Sequence, residues 1–563
     1  MKRLAAFLLF LCLLLPMAGC GGTDLPEPTG RTEPTAVGEP EEMPAASDTS
    51  NDESGSEDQQ AQLFNCSIDG IYAVITEPNR AENPGELVPG SEFTMLVDYI
   101  DGSFLPMEML PCFGDNVYEG LLYWSADGAG QPEGCLAESW SASEDRLTWQ
   151  FVIREGVLFS DGSPCGAQAI CDWLDYCASR YPNLIAASDL ASWEAEGEYT
   201  LTIVCRESDP EFENDLCRLK IASADAIKQY GERSLSAAVS TGPYYFAEFD
   251  KKTGVTMKAN PWYSFAPKRP SIETVRIIPT GGEINAVSML LAGEGDGALL
   301  SDARPLEEGN FSGTLWLYHG AVRTWWLNPS ADEALYSKTV RRALCSLFDA
   351  EKINSAFFGG LGRVQKGIWA EDMPAYVPPA NSYDPELAKT LLAEEGVTEL
   401  TLTIDRKYFD DNFAPVREDY EDAGVKFNFL DLNPAQTTES SYSNPYSDMP
   451  LVASAYTTSV LLKAIPSMLM DHPFSRVCHQ QLYDEALYEA IADAASRAGA
   501  AQTREELTGA LTDFTALINE DALYLGGIAL PRYLALSKGF RCGVLNLMYT
   551  TNDAIQYYSL RKQ

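Results

Sequence analysis

Hydrophobic and polar positions alternate in several short runs along the chain, and this alternation predicts β-strands. The runs are rich in β-branched and aromatic residues and begin at Phe93, Leu147, Tyr199, Val275, Leu400 and Val425. Between them, apolar residues recur every three or four positions, which is typical of amphipathic helices. Strands interleaved with helices over 563 residues predict an α/β protein of at least two lobes.

The helical pattern is clearest in the second half of the chain. One apolar stripe predicts a helix within 337–353, and it consists of Val340, Ala343, Leu344, Leu347 and Phe348. Asp384 predicts the N-cap of the next helix, and Gly396 predicts its end. Thr503 and Glu506 have the spacing of a capping box, which predicts a third helix start.

The first 19 residues have the layout of a secretory signal, with two early positive charges and an apolar run too short to span a membrane stably. The run ends in Ala18-Gly19-Cys20, and small residues before a Cys resemble the lipobox of bacterial lipoproteins. This resemblance implies cleavage ahead of Cys20 and lipidation of that residue, which would anchor the protein to the outer face of the membrane. The alternative is an ordinary secreted protein with an incidental Cys.

The segment 20–62 begins with the lipidated Cys and continues almost without large apolar side chains. It contains eleven acidic residues and a single Arg. Such a composition cannot form a core, so we expect a disordered acidic tether. The whole chain has a net charge of −42, which argues against nucleic-acid binding because that binding needs Lys and Arg to neutralise phosphates.

Motifs of catalysis are missing from the sequence. It contains no G-x-S-x-G elbow, Walker loop, H-E-x-x-H motif or Rossmann glycine fingerprint. Only 3 His residues occur, and no C-x-x-C pair. His472 and His479, with Cys478, form a possible ligand cluster, although incidental residues are the preferred interpretation. We therefore expect a binding protein without enzyme activity, cofactor or metal.

Several segments, from about Phe93 to the C-terminus, resemble in consistent order the bacterial extracellular solute-binding proteins of family 5, which serve peptide and nickel ABC importers. The segments are VYEGLLYW from Val117, which resembles the family's early helix, then the hairpin region Cys135–Pro164, TGPYYF from Thr241, LLAGEGDGAL from Leu290, VRRALCSLFDAEKI from Val340, SYDPELAKTLLAEEGV from Ser382 and SKGF from Ser537.

This resemblance implies the type II periplasmic-binding-protein fold, an α/β fold with two lobes, hinge strands between them and the ligand held in the cleft. Lobe one would comprise residues 63–322 and 536–563, with an inserted subdomain at about 120–235. Lobe two would span 323–535. The hinge strands would lie near 318–325 and 534–539.

The resemblance also implies candidate ligand contacts. Trp325, Trp326 and Asn328 resemble the family's crossover strand into lobe two. Neighbouring residues of a strand point to opposite faces, so one Trp at most can face the cleft, and packing of both in the core is the alternative. Tyr123 and Trp124 lie where family members place aromatic residues near the cleft.

One departure from the family concerns the ligand. Peptide-binding members place an Asp after a strand, where it pairs with the free amino terminus of the peptide. Here no acidic residue lies between Asp448 and Asp471, and Thr457 occupies the expected position, with Tyr456 in place of the family's aromatic residue. An ammonium group buried there without a partner would cost several kcal/mol, which puts recognition through a free amino end in doubt.

The expected function is therefore that of a monomeric extracytoplasmic lipoprotein, which captures a small, peptide-like solute and delivers it to ABC permease subunits. Two alternatives stay open. One is a receptor or surface-interaction protein that uses the same fold without transport, and the other is an oligosaccharide-binding member of the family.

Overall fold

The computed structural model describes most of the chain after residue 85 and a short strand before it. The described residues are 72–74, 86–98, 100, 104–106, 116–124, 132–181, 190–327, 332–369, 371, 373–379, 382–430, 451–456, 466, 485–542, 555 and 557–562. The predicted signal peptide, Cys20 and the predicted tether lie outside these residues, as do His472, Cys478 and His479.

Strands and helices follow one another through the described residues. The strands are β1 Tyr72–Val74, β2 Val88–Val97, β3 Leu122–Trp124, β4 Pro132–Gly134, β5 Ala137–Ala142, β6 Thr148–Ile153, β7 Leu190–Glu196, β8 Thr200–Cys205, β9 Tyr244–Asp250, β10 Gly254–Ala259, β11 Ile272–Pro279, β12 Gly297–Leu300, β13 Gly313–Leu327, β14 Arg363–Gln365, β15 Leu400–Asp405, β16 Val425–Leu430, β17 Leu451–Tyr456, β18 Tyr524–Ser537, β19 Phe540–Arg541 and β20 Arg561–Lys562. The helices are α1 Ala167–Arg180, α2 Phe212–Arg218, α3 Ala224–Tyr230, α4 Glu283–Leu291, α5 Arg304–Glu308, α6 Lys338–Ser346, α7 Ala350–Phe358, α8 Pro385–Glu394, α9 Arg406–Asp422, α10 Glu485–Ala500 and α11 Arg504–Glu520. All six predicted strand runs are confirmed.

A ten-stranded sheet forms the framework. Its main order is β1-β13-β18-β12-β2-β11-β10-β9, with β14 added on β18 and β17 on β13. Strands β2, β11 and β12 are parallel to one another, whereas β13 and β12 are both antiparallel to β18. It follows that β13 runs in the same direction as β2, β11 and β12.

The first hydrophobic core surrounds the β12-β2-β11-β10-β9 part of this sheet and extends into a second, four-stranded sheet of order β5-β6-β8-β7. Strand β6 alternates strictly between exposed and buried residues, as the sequence predicts for a sheet with one covered face. Helix α1 covers that face with Ile170, Trp173 and Cys177. The four-stranded sheet lies within residues 137–205, inside the range predicted for the inserted subdomain.

Two further cores lie on opposite faces of the β13–β18 ladder. One contains Trp325 with α6, α7, α8, β15 and β16, and the other contains Trp326 with α10 and α11. The two long strands therefore pass from the first core to these cores. Together with the parallel strands and their covering helices, this arrangement is the predicted α/β architecture.

Two local predictions were wrong in detail. The segment 337–353 contains parts of two helices instead of one, because the Asp349 side chain accepts hydrogen bonds from the N–H groups of Glu351 and Lys352 and begins α7. In the segment from Val117, only residues 116–117 are helical, and its end forms β3. The hinge segments 318–325 and 534–539 stay predictions; the β13–β18 ladder changes register around Leu530.

Candidate functional site

The parallel strands of the first lobe end at one edge of the sheet. Strands β2, β11 and β12 end at Val97, Pro279 and Leu300, and β13 runs in the same direction past this edge into the second lobe. In open α/β sheets, ligands bind outside the carboxyl ends of the strands. The candidate binding site is therefore the space beside this edge and the strand crossing, which we call the carboxyl edge.

Hydrogen bonds between loops organise the carboxyl edge. The Glu283 carboxylate accepts hydrogen bonds from the Ser301 N–H at 2.8 Å, the Ser301 hydroxyl at 2.6 Å and the Asp302 N–H at 3.0 Å. The loop before Glu283 contains Gly281 and Gly282 with φ angles of 71° and 147°, which disfavour any residue with a Cβ. The loops that follow β11 and β12 are thereby tied together and present exposed polar groups.

A salt bridge lies at the same edge. Arg304 contacts the Asp302 carboxylate at 2.6 Å, and this hydrogen bond is the main reason why the pKa of Asp302 is lowered. Because Asp302 stays ionised and paired with an exposed Arg, the edge presents both charges to solvent. Such a surface suits a polar solute.

The strand crossing lies between two ladder segments. Residues His319 and Pro531 form the last pair on the side of the first core, and Val322 and Ala529 form the first pair on the side of the two further cores. The imidazole Nε2 of His319 lies 2.9 Å from the carbonyl oxygen of Leu361. A carbonyl oxygen can only accept, so Nε2 carries the proton.

The two predicted Trp residues point to opposite faces of β13, as strand geometry requires. Trp325 is fully buried and packs against Phe348, with ring centroids 5.3 Å apart. Trp326 is also buried, packs edge-on against Tyr524 and donates from its indole N–H to the Thr324 hydroxyl at 2.9 Å. Each ring fills a core on its own face, and a contact with ligand stays a prediction for both.

The remaining predicted contacts lie in different parts of the chain. The hydroxyl of Tyr123 donates to Glu133 at 2.6 Å, and the indole N–H of Trp124 donates to Asn214 at 3.2 Å. Tyr456 ends β17, with its backbone opposite Val322 at the strand crossing. Asn328 and Thr457 lie outside the described residues. The structure thus brings the backbone of Tyr456 to the crossing, and a contact of Tyr123 or Trp124 with ligand stays a prediction.

A buried ion pair in the first lobe was missed by the sequence analysis. The Lys268 ammonium lies 2.9 Å from the Glu119 carboxylate, and their side chains are 5% and 1% exposed. The Tyr263 hydroxyl donates to the same carboxylate at 2.7 Å, and a small cavity beside it is lined by Cys135 and Thr241, among others. The signal available in the sequence was an acidic residue within the otherwise apolar run VYEGLLYW.

Two negative findings apply to the described residues only. Among them, no three or more His, Cys, Asp and Glu side chains lie close enough together to hold a metal ion. In the same part of the chain, no helix has both the length and the apolar character needed to cross a membrane.

The fold and the carboxyl edge define a two-lobed binding protein of the type II periplasmic class. Comparison with protein families matches residues 131–460 to the middle region of the bacterial extracellular solute-binding proteins, family 5. The chain belongs to this family, as the sequence predicted. Family 5 proteins are extracytoplasmic solute-binding components of ABC importers.

Curated relatives and solved structures agree with this assignment. The glutathione-binding protein GsiB of Escherichia coli O1:K1 is 26% identical over 319 residues, which cover 54% of this chain and 60% of the relative. The chain thus matches about 60% of the length of such relatives.

Two solved structures show the fold alone. The structure of NikA from Brucella suis in complex with Fe(III)-EDTA has a TM-score of 0.72 at 16% identity and covers 84% of this chain and 100% of its own. The structure of DppA from Helicobacter pylori in complex with the peptide STSA has a TM-score of 0.62 at 15% identity, with coverage of 84% and 98%.

Proposed function

We propose that this protein is the solute-binding subunit of an ABC importer, captures a peptide-like solute between its two lobes and delivers it to a membrane permease. The observation that carries the proposal is the strand crossing. Three parallel strands end beside the place where β13 and β18 pass between the lobes, so a solute at the carboxyl edge would contact both. Closure of two lobes about connecting strands buries a ligand and presents the permease with a distinct closed shape.

The peptide-like class is supported by relatives and by the polar carboxyl edge. The relative GsiB is named for glutathione binding, and the DppA structure contains the peptide STSA. The absence of an acidic residue between Asp448 and Asp471 argues that the solute does not bind through a free amino terminus. We therefore propose a solute with a blocked or differently oriented amino end.

Binding assays with matched peptides test this proposal. The protein is purified from its own host, and native mass spectrometry identifies any solute that co-purifies. After the solute is removed, calorimetry compares each peptide with its N-acetylated form. We expect acetylation to leave the affinity unchanged or to improve it, whereas an amino-terminal site would lose roughly 100-fold or more with it, the effect of losing one buried charge-assisted contact. No binding of either form, and no co-purified solute, would refute peptide capture.

A lipid anchor at Cys20 belongs to the same proposal. One acyl chain binds membranes only marginally, so stable retention needs the multiple chains of a bacterial lipoprotein. Membrane fractions of cells that express the Cys20→Ser variant should lose the protein to the soluble extracytoplasmic fraction. Retention equal to that of the Cys12→Ser control would contradict the anchor.

A further inference from the structure

The β13–β18 ladder changes register at the strand crossing. Two residues of β13, Gly320 and Ala321, lie opposite the single residue Leu530 of β18, so the ladder contains a bulge there. The adjacent Pro531 has no N–H to donate to the ladder. The regular main-chain pairing of β13 with β18 is therefore interrupted at this point.

One side chain bridges this interruption. The backbone of His319 belongs to the ladder on the side of the first lobe, and its imidazole donates to the carbonyl of Leu361 at 2.9 Å. Leu361 precedes β14, which pairs with residues 527–529 of β18 on the side of the second lobe. The hydrogen bond thus connects two segments that lie on either side of the interruption in the ladder.

We propose that His319 is a pH-sensitive latch at the hinge, whose hydrogen bond to Leu361 holds the lobes in the arrangement described here. It is a positioning residue, because it acts on the relative placement of the lobes. Any effect of the latch on solute capture rests on the function proposed above, because the latch can change the affinity for a solute only if the lobes close on that solute.

The surroundings of His319 determine the direction of the pH effect. Burial lowers the pKa of its imidazole, the bond to Leu361 partly opposes this, and the cation Arg363 lowers the pKa further. Among the described residues, Arg363 is the charged group found to act on the imidazole, and no acidic group is found to act on it. Protonation therefore adds a positive charge beside a cation.

The pH dependence of the latch follows from the lowered pKa of His319. In an arrangement where the imidazole leaves Leu361 and meets water, its pKa returns to about 6.5. The latched arrangement then binds fewer protons than the released one. The latch is fully effective above about pH 6.5 and weakens as the pH falls below that value.

Distance measurements on the ligand-free full chain test the latch. Spin labels are attached to unnatural keto-bearing residues at Lys252 in the first lobe and Glu394 in the second, so that native thiols do not react. Electron–electron resonance gives the interlobe distance distribution at pH 7.5 and 5.5. We expect the released population to rise with acid, and His319→Ala to raise it roughly two- to tenfold at pH 7.5, the effect of one net hydrogen bond.

His319→Gln is the matched variant, because its side-chain amide can still donate to Leu361 but does not titrate. We expect its distance distribution to resemble that of the wild type at pH 7.5 and to stay the same at pH 5.5. Nuclear magnetic resonance of the 3 His side chains, with the His319 signal assigned by its loss in this variant, should show titration below pH 6.5.

Two results would overturn the latch. One is a distribution in His319→Ala equal to that of the wild type, and the other is an equal response to acid in the wild type and His319→Gln. Neither measurement uses a solute. A failure of peptide capture would therefore leave the latch standing, and failure of the latch would leave the capture assays unaffected.

Discussion

The buried pair of Lys268 and Glu119 allows a quantitative prediction about stability. Their charged atoms lie 2.9 Å apart in the first lobe, with almost no exposure to solvent. Lys268 also lies 4.4 Å from the ring centroid of Tyr123, and Tyr263 donates to the carboxylate. Replacement of Lys268 by Met keeps the aliphatic stem but leaves the carboxylate buried without its cation.

The expected loss follows from desolvation. At an effective dielectric constant of 20, the attraction at this distance is about 6 kcal/mol, and the cost of burying both charges opposes most of it. Removal of one partner forfeits the attraction while the other charge stays buried. We therefore expect Lys268→Met to lower the free energy of unfolding of the first lobe by about 3–5 kcal/mol.

Native-state hydrogen exchange measures this loss lobe by lobe. Exchange of amides in β2 and β11 reports the opening of the first lobe, whereas amides of α11 report the second and should not change. The double variant Lys268→Met/Glu119→Gln should lose less free energy of unfolding than the two single variants together, by at least about 2 kcal/mol. The reason is that Glu119→Gln removes the buried charge that Lys268→Met leaves without its cation. The exposed pair of Arg276 and Glu92, at 52% and 55% exposure, is the control and should cost less than about 1 kcal/mol. A cost below about 1 kcal/mol for Lys268→Met, or additive single changes, would refute the reasoning.

Three further predictions concern other parts of the fold. Burial raises the pKa of Asp521 to about 6 despite its hydrogen bond to Arg341. The contribution of Asp521 to the free energy of unfolding should therefore fall as the pH rises from about 4 to about 6. Urea titrations should show that this pH dependence is lost in Asp521→Asn, and a pH dependence equal to that of the wild type would contradict the prediction. The eight cysteines of the described chain are all buried, so a thiol reagent should modify them at least about 100-fold more slowly in the folded protein than in guanidinium, and rapid modification of their peptides would contradict the structure. The Thr503 hydroxyl accepts a hydrogen bond from the N–H of Glu506 at the start of α11. Thermal unfolding should therefore show that Thr503→Ala lowers the free energy of unfolding by about 1 kcal/mol. Thr503→Ser keeps the hydroxyl and is the control, and an equal loss in this variant would show that the cap is not the reason.

Elements specified by neighbouring residues could be predicted from the sequence. The Asp384 side chain accepts from the N–H of Leu387 and begins α8, and Gly396 follows its end with a φ of 71°, both as expected. Local patterns suffice here because a cap or an alternating strand involves residues a few positions apart. The same patterns, in their order along the chain, were enough to predict the family and its fold.

Local patterns also had limits within a single segment. The apolar stripe from Val340 to Phe348 extends past the end of α6 into the turn before α7, because Leu347 and Phe348 pack in the same core as these two helices. Only the chain direction after Leu347 separates them. Likewise, the alternation of Trp325 and Trp326 was predictable, but Phe348 and Tyr524, which cover them, come from other elements.

Contacts between distant segments were decided by the tertiary structure alone. Glu119 meets Lys268 across 149 positions, and His319 meets Leu361 across 42. Neither residue type nor spacing indicates such partners, since a charged residue or a His has the same local signature whether it is solvated or buried. The sequence by itself determined which segments become strands and helices and to which family they belong, whereas the burial of a charge and the link across the hinge arose only when the sheet brought those segments together.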